Sequence, residues 1–398
     1  MNPAIKSYIL YESPLKTQKG KISLICVLLL VFAFAVAGRV NTDFHELLSA
    51  YAWMSYSIVG SLATFFIVTF FNRKRAIRWF HLLTVLFVAL QTAFVAKFLN
   101  DISPFKFYTV GYIEEFVKIL PALLIFIYLP NLIRTKKDGM VFGALGGIGF
   151  NIIEIALYIT KGIMSGEKTW TQAIYAHSTR LAILGFGNHV IWSAFIGLGL
   201  GMVAESSKKG LRKWLPFILI YLLVSTIHSL FDLFLAGIFL VLSLIVLNLV
   251  TGKGVNIEAE NVSLDEPGPL RTSAIIEHFA YNVIFIIIII RQLFKSAKFE
   301  QELNIHQLQD EPPHVITEDE KSILRSEGRF GFRRYPALPK DLSKKIVKLQ
   351  NLVAMQKHVL CSEKKSQTDS EELRSLREEI LSLRTVASVA DNYQPVRL

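Results

Sequence analysis

Two adjacent carboxylates and an amine, Glu114, Glu115 and Lys118, interrupt an otherwise apolar run from Gly111 to Tyr128. A charge near the bilayer centre costs roughly 2.5 to 3.5 kcal/mol on insertion scales, so three in two turns must face protein or water. Spacings of three and four residues let all three project toward one side of a helix. Other apolar stretches carry groups suited to meet them. Asn151, Glu154 and Tyr158 share a helical face, Asn188 and His189 precede Gly197, Gly199 and Gly201, and His228 stands four residues before Asp232. Small residues let a neighbouring helix approach closely, and a carboxylate one turn from an imidazole fixes its orientation and tautomer. Two chemistries are open to this set. Two His with two or three Glu can hold Zn²⁺ with one position left for water, whose pKa then falls toward about 7. The same groups can work without metal, a Glu acting as general base and an imidazole donating to an oxyanion. No His-Glu-x-x-His stretch is present.

The elements that must position these residues are membrane helices. Of the 398 residues 52% are hydrophobic and 12% aromatic, a composition outside the ordinary soluble range. The apolar residues come in blocks of about 17 to 23, the length that crosses about 30 Å of hydrocarbon. Spans are expected near 22–37, 50–71, 79–98, 109–130, 140–160, 181–203, 214–235, 236–250 and 274–293. The eighth is short, so the fold class is all-α, a polytopic membrane helix bundle of eight or nine spans with a C-terminal soluble helical or coiled-coil tail. The first block ends Ala-Val-Ala-Gly, as a cleaved signal would, but its length and the spans after it favour an uncleaved helix. Arg73, Lys74, Arg75 and Arg78 follow the second span, Arg134, Lys136 and Lys137 the fourth, and Lys208, Lys209, Arg212 and Lys213 the sixth. The positive-inside rule therefore puts these loops and the N-terminus in the cytoplasm of a multi-pass cell-membrane protein. The formal charge of +11 is thus topological and calls for no nucleic-acid partner. Cys26 and Cys361 provide neither a disulfide framework nor a Cys-based metal site.

The chain divides into N-terminal spans (1–104), a four-helix core (105–250), a polar linker (251–273), a last span (274–293) and a soluble tail (294–398). The linker holds Pro267-Gly268-Pro269 and a sequon at Asn261 that carries little weight. In the tail, Leu342, Ile346, Leu349, Val353, Gln356 and Leu360, and again Leu373, Leu376, Ile380 and Leu383, alternate spacings of three and four around a polar break at 366–370. That is a coiled-coil or helical-hairpin pattern, open to self-association or a partner protein through 340–385, or to a small helical appendage. Nine spans put this tail outside, whereas Arg291, Lys295 and Lys298 after the last span argue for inside.

Loop charges alone set the depth of the polar groups. Glu114, Glu115, Glu154, His189 and His228 all fall roughly 5 to 12 Å below the outer surface. Four spans with acids and imidazoles in one leaflet point to a functional site over scattered polarity. His81, His177 and His278 lie near span ends and read as interfacial, as does Arg180, while Glu277 reads as a solvated helix end. Lys118 either neutralises a Glu or acts directly.

Glu114-Glu115-x-x-Lys118, then Phe150-x-x-x-Glu154, then a His in a Gly-rich span, then His228 with Asp232, resemble the PrsW-type intramembrane proteases, distant relatives of the CAAX prenyl endoproteases. The resemblance covers roughly 105–250. It implies a glutamic or metallo-type peptidase that cuts membrane-protein substrates in the bilayer near its outer face, as in the site-1 step that starts degradation of an anti-sigma factor. By this likeness Glu114 activates water that His189 helps to hold, and Glu115 and Glu154 complete the acidic cluster. His228 binds metal or stabilises the oxyanion, Asp232 orients it, and Lys118 pairs with the glutamates. Asn151 and Asn188 support the set, and Glu154, His189 and His228 are the ligands if Zn²⁺ is the cofactor. Many relatives carry Asn directly after the second-motif Glu, where this chain has Ile155. Two other readings use the same residues. A proton or cation relay of a transporter needs a path to the cytoplasm, and the inner halves of these spans offer few ionisable groups. A silent scaffold would act through the tail helices instead.

Overall fold

The computed structural model describes residues 14–74, 79–166, 168–174, 186–206, 210–235, 269–362 and 371–392, with single positions 208, 241, 242, 245 and 249. Its elements are helical, with no strand among the described residues. The span expected at 236–250, the linker with its Pro-Gly-Pro and sequon up to residue 268, His177, Arg180, Arg75, Arg78, Lys209 and the polar break at 366–370 lie wholly or largely outside the described residues, as do the side chains of Glu277 and His278.

Among the described residues seven α-helices precede the linker: α1 Gln18–Val40, α2 Phe44–Phe70, α3 Trp79–Ile102, α4 Lys106–Tyr128, α5 Lys136–Met164, α6 Asn188–Ala204 and α7 Leu211–Leu230. Five described helices are long and apolar enough to cross a membrane, namely α1, α2, α3, α5 and α7 with its continuation to Leu233. The helix α4 is long enough at 23 residues but holds the charged triad, and α6 is a shorter apolar helix. The protein is therefore a multi-pass membrane protein.

The bundle is built around α5, which packs against α2, α3, α4 and α6. Its N-terminus is fixed by a capping box in which the Thr135 hydroxyl accepts from the Asp138 N–H and the Asp138 carboxylate accepts from the Thr135 N–H. Nearly every side chain from Lys137 to Ala156 is buried. Without a hydrophobic drive between helices in lipid, such packing depends on close contact. Glycine supplies it. A Cβ at Gly143 would lie 2.2 Å from the Ser193 carbonyl, so α5 and α6 meet backbone to backbone.

The helix α8, Pro269–Leu308, runs 40 residues, about 60 Å and twice the hydrocarbon thickness. Its C-terminal half joins α9 Glu318–Ser326, α10 Lys340–Ser362 and α11 Glu371–Asn392 around a separate apolar core that includes Leu308, Val315, Ile316, Tyr335, Ile346, Val353 and Ile380. The periodic stripes of 342–360 and 373–383 are the walls of that core, so the apolar surface that could pair with a second chain is packed within this one. This module rests on the α2–α3 turn. Lys74 pairs with Glu327 at 3.0 Å, Asn351 donates to the Lys74 carbonyl, and Arg73 donates to the Phe330 carbonyl. At the same end Lys137 pairs with Glu300 and Lys136 with Glu205. The tail thus sits beside the basic turn after the second span and, through Glu300, the start of α5 after the fourth.

Candidate active site

Three close backbone approaches bring the polar groups together. A Cβ at Gly111 would stand 2.6 Å from the Ser225 carbonyl and the Ser229 N–H, one at Gly146 would stand 2.1 Å from the Lys118 carbonyl, and one at Gly147 would stand 2.4 Å from the His189 carbonyl. Only glycine allows each contact. They draw α7 onto α4, and α4 and α6 onto α5, within a turn or so of the residues that carry the chemistry.

Lys118 is the hub, completely buried. Its Nζ donates to Glu115 Oε1 at 3.0 Å and to Glu114 Oε2 at 3.2 Å, lies 2.6 Å from His189 Nδ1, and rests 4.4 Å from the centre of the Phe150 ring. The other ring nitrogen, His189 Nε2, is 2.6 Å from Glu154 Oε2. An ammonium can only donate and a carboxylate can only accept. These partners therefore assign a neutral His189 whose Nδ1 accepts from Lys118 and whose Nε2–H donates to Glu154. His228 Nδ1 is 2.9 Å from Glu115 Oε1, while its Nε2 faces Glu114 Oε2 at 3.8 Å and Asp232 Oδ2 at 3.4 Å. Asp232 belongs to a π-helical turn, Phe231–Leu235, that continues α7, the kind of irregularity frequent at functional sites. Its side chain is 43% exposed, so one edge of the cluster reaches the surface.

Glu114, Glu115, Glu154, His189 and His228 are thus brought into one buried cluster with Lys118. Asn188 is also close by, but its partner is Asn282 of α8, whose side-chain amide donates to Asn188 Oδ1. Asn151 is buried with neither amide atom bonded among the described residues, as is Glu115 Oε2. Tyr158, on the same helical face as Glu154 in the sequence, is 39% exposed.

Three contributors escape the sequence reading. Asn100 donates to Glu114 Oε1 at 3.5 Å, Asn282 ties α8 to α6, and the buried Trp192 ring lies 4.7 Å from the His228 ring. Asn282 carried a usable signal, an amide inside an Ile-rich span. Trp192 carried none, because an indole among apolar residues reads as packing.

Ligand atoms of Glu114, His189 and His228 all lie within 4.8 Å of one another. Two imidazoles and a carboxylate fit zinc in type and number, and these three residues would hold it. Bound there, the metal would acidify a water and polarise a carbonyl. Glu154, expected from the sequence as a ligand, lies against His189 Nε2 at 2.6 Å, where a carboxylate can orient an imidazole. Lys118 competes for the same atoms, since its protons already point at His189 Nδ1 and Glu114.

Comparison with known proteins bears on the whole arrangement. No curated protein and no solved structure gave a match. Residues 52–252, just over half of the chain, match the family described as PrsW family intramembrane metalloprotease. That span runs from α2 through the π-helical turn and takes in every residue of the cluster. The chain belongs to the PrsW family and is an intramembrane peptidase.

Proposed function

We propose that this peptidase cuts single-span or otherwise membrane-embedded proteins close to the outer face of the bilayer, as the first cut of a regulated proteolytic sequence. The observation that carries the reading is the convergence of Glu114, His189 and His228 from three helices within 4.8 Å. Glu114 is the group that takes a proton from the attacking water. It is the cluster carboxylate that faces His228 Nε2 and both Asn100 and Lys118, whereas Glu115 turns its Oε1 to Lys118 and toward His228 Nδ1. His228, with Asp232 beside its Nε2, donates to the oxyanion or serves as a ligand. His189, oriented by Glu154, helps to hold the water. Lys118 fixes Glu114, Glu115 and His189 in one geometry, the preorganisation on which electrostatic catalysis rests.

The topology supports an outer-face cut. With a cytoplasmic N-terminus, α7 runs outward, and the tail's contacts with the α2–α3 turn keep the end of α8 inside. Reporter fusions after residues 135, 235 and 392 test this, the expectation being inside, outside and inside. An outside signal at 392 would refute it.

The reaction is tested by comparing protein N-termini in membranes of cells expressing the wild-type chain and Glu114→Gln at equal abundance. New termini present with the wild type and absent with the variant are expected. Identical profiles from two folded proteins would exclude the assignment of Glu114.

A further inference from the structure

One face of α10 joins a contact with the membrane domain to a pair of cations. Lys344, Lys348, Asn351, Met355 and His358 follow one another at spacings of four, three, four and three, so they share that face. Its second half is seated on the membrane domain and on α8. Asn351 donates to the Lys74 carbonyl at 3.0 Å, Met355 lines a small hollow with Lys74 and Glu300, and the His358 ring stands 5.9 Å from Phe299. Lys348 and Lys344 continue the face about 5 and 10 Å beyond Asn351.

Aromatic rings set the level of this contact relative to the lipid. Phe330 of the tail packs edge-on against Phe71, which caps α2, with ring centres 5.7 Å apart. It also meets Phe294 of α8 at 5.1 Å. Phe70 and Phe294 are exposed, as side chains at the lipid-facing ends of spans are. Arg329, the residue before Phe330, therefore stands where the hydrocarbon gives way to headgroups. Its carbonyl accepts from Lys74 Nζ at 3.3 Å, and its side chain is exposed.

The cations at this level fall into two groups. Lys74 and Lys137 are paired with Glu327 and Glu300. The side chains of Arg329, Lys344 and Lys348 form no ion pair among the described residues, and exposed Asp341, three residues before Lys344, pairs with neither lysine. Burial, and then the charge on Lys344, push the half-buried Lys348 ammonium down. Like charges one turn apart destabilise a helix, so this pair gains from an anion placed between them.

We propose that Lys344, Lys348 and Arg329 bind the phosphate of an anionic phospholipid in the leaflet on the α2–α3 side of the membrane, and that this lipid holds the tail against the α2–α3 turn. Each cation near an anionic membrane surface strengthens binding about fivefold. The depth fixed by Phe71 and Phe294 favours a headgroup over a dissolved anion, because lipid phosphate is already concentrated there.

Lysine acylation located by mass spectrometry tests this on the full chain in nanodiscs, which leave both membrane faces open to reagent. In phosphatidylcholine both Lys344 and Lys348 should react. Replacing part of that lipid by phosphatidylglycerol should slow both by about fivefold or more. Exposed Lys345, turned about 100° around the helix from Lys344, should be slowed far less. Native mass spectrometry should show phosphatidylglycerol retained over phosphatidylcholine by the wild type and by Lys344→Arg with Lys348→Arg. Lys344→Gln with Lys348→Gln should lose that preference. Equal acylation in the two lipids, or equal slowing at Lys345, would overturn the proposal without any variant having to fold. So would a preference that survives the glutamine variant, or equal protection by soluble glycerol phosphate in phosphatidylcholine discs, which would mark a site for dissolved phosphate.

Discussion

Two buried charge networks among the described residues are treated differently. In the tail, Arg333 is fully enclosed, and its guanidinium donates to Glu327, Tyr335, Gln350 and Asn351 at 2.8 to 3.2 Å. Burial pushes the Tyr335 phenol up to about 12, so it remains a neutral partner. In the membrane cluster, Glu115 Oε2 and the Asn151 amide have no partner among the described residues, and one cation is shared among two carboxylates and an imidazole. A saturated network specifies a structure, whereas one with open valences retains capacity to bind a water, a substrate or an ion. The location of a buried charge therefore says less about function than how fully it is paired.

The largest effects should separate the two networks. Glu114→Gln should lower cleavage by at least about 10³-fold, within the range of a lost general base, with abundance and melting temperature unchanged. Arg333→Met should do the reverse. It removes one of the two cations on Glu327, which keeps Lys74, and should destabilise the tail by about 1 to 3 kcal/mol, seen as protease sensitivity of residues 300–392, while leaving the cluster itself intact. If Arg333→Met abolished cleavage with the tail still folded, the division between the networks would fail.

Packing provides a sharper cut. Gly147→Ala places a methyl against the His189 carbonyl and should cost about 1 to 3 kcal/mol of stability. Cleavage should fall by about 10²-fold through misplacement of His189, and the ratio of activity to folded protein measures that excess. Asn282→Leu removes the bond to Asn188. Interhelical bonds in membranes average about 0.6 kcal/mol, so a loss of activity of about threefold is expected.

How much of this was legible in the sequence follows from the same physics. Glu114, Glu115, Lys118, Glu154, His189 and His228 stood out because charge in an apolar span has one economical explanation, and helical spacing put each on a face. Their depth followed from Lys and Arg in the loops. The sequence carries no sign that Lys118 bridges Glu114 to His189, because that depends on how closely α4 and α6 approach α5. Gly197, Gly199 and Gly201 hinted at close packing without naming the partner. The tail's periodic leucines suited either a coiled coil or a compact module. Two of the deciding residues, Arg333 and Tyr335, lie in a non-helical stretch that periodicity does not reach, and their partner Gln350 lies within α10 between the stripe's apolar positions.

The smallest effect concerns pH. Burial raises the Glu311 carboxyl, but the hydrogen bonds from Arg377 and Lys357 outweigh it and hold Glu311 below the usual carboxylate range. A carboxyl with a depressed folded pKa stabilises fully above its unfolded value near 4.3 and loses that contribution as pH falls through the folded value. Melting of the tail should therefore shift down between pH 5 and strongly acid conditions by no more than about 1 kcal/mol, given partial solvent screening. Glu311→Gln should flatten that shift.

The most direct measurement is where the new N-termini fall on the substrates. With the N-terminus in the cytoplasm, the proposed topology puts the cluster roughly 5 to 12 Å below the outer surface, or about three to eight helical residues. The account predicts Glu114-dependent cuts within that distance of the outer ends of substrate spans. Glu114-dependent cuts at the cytoplasmic ends would contradict it.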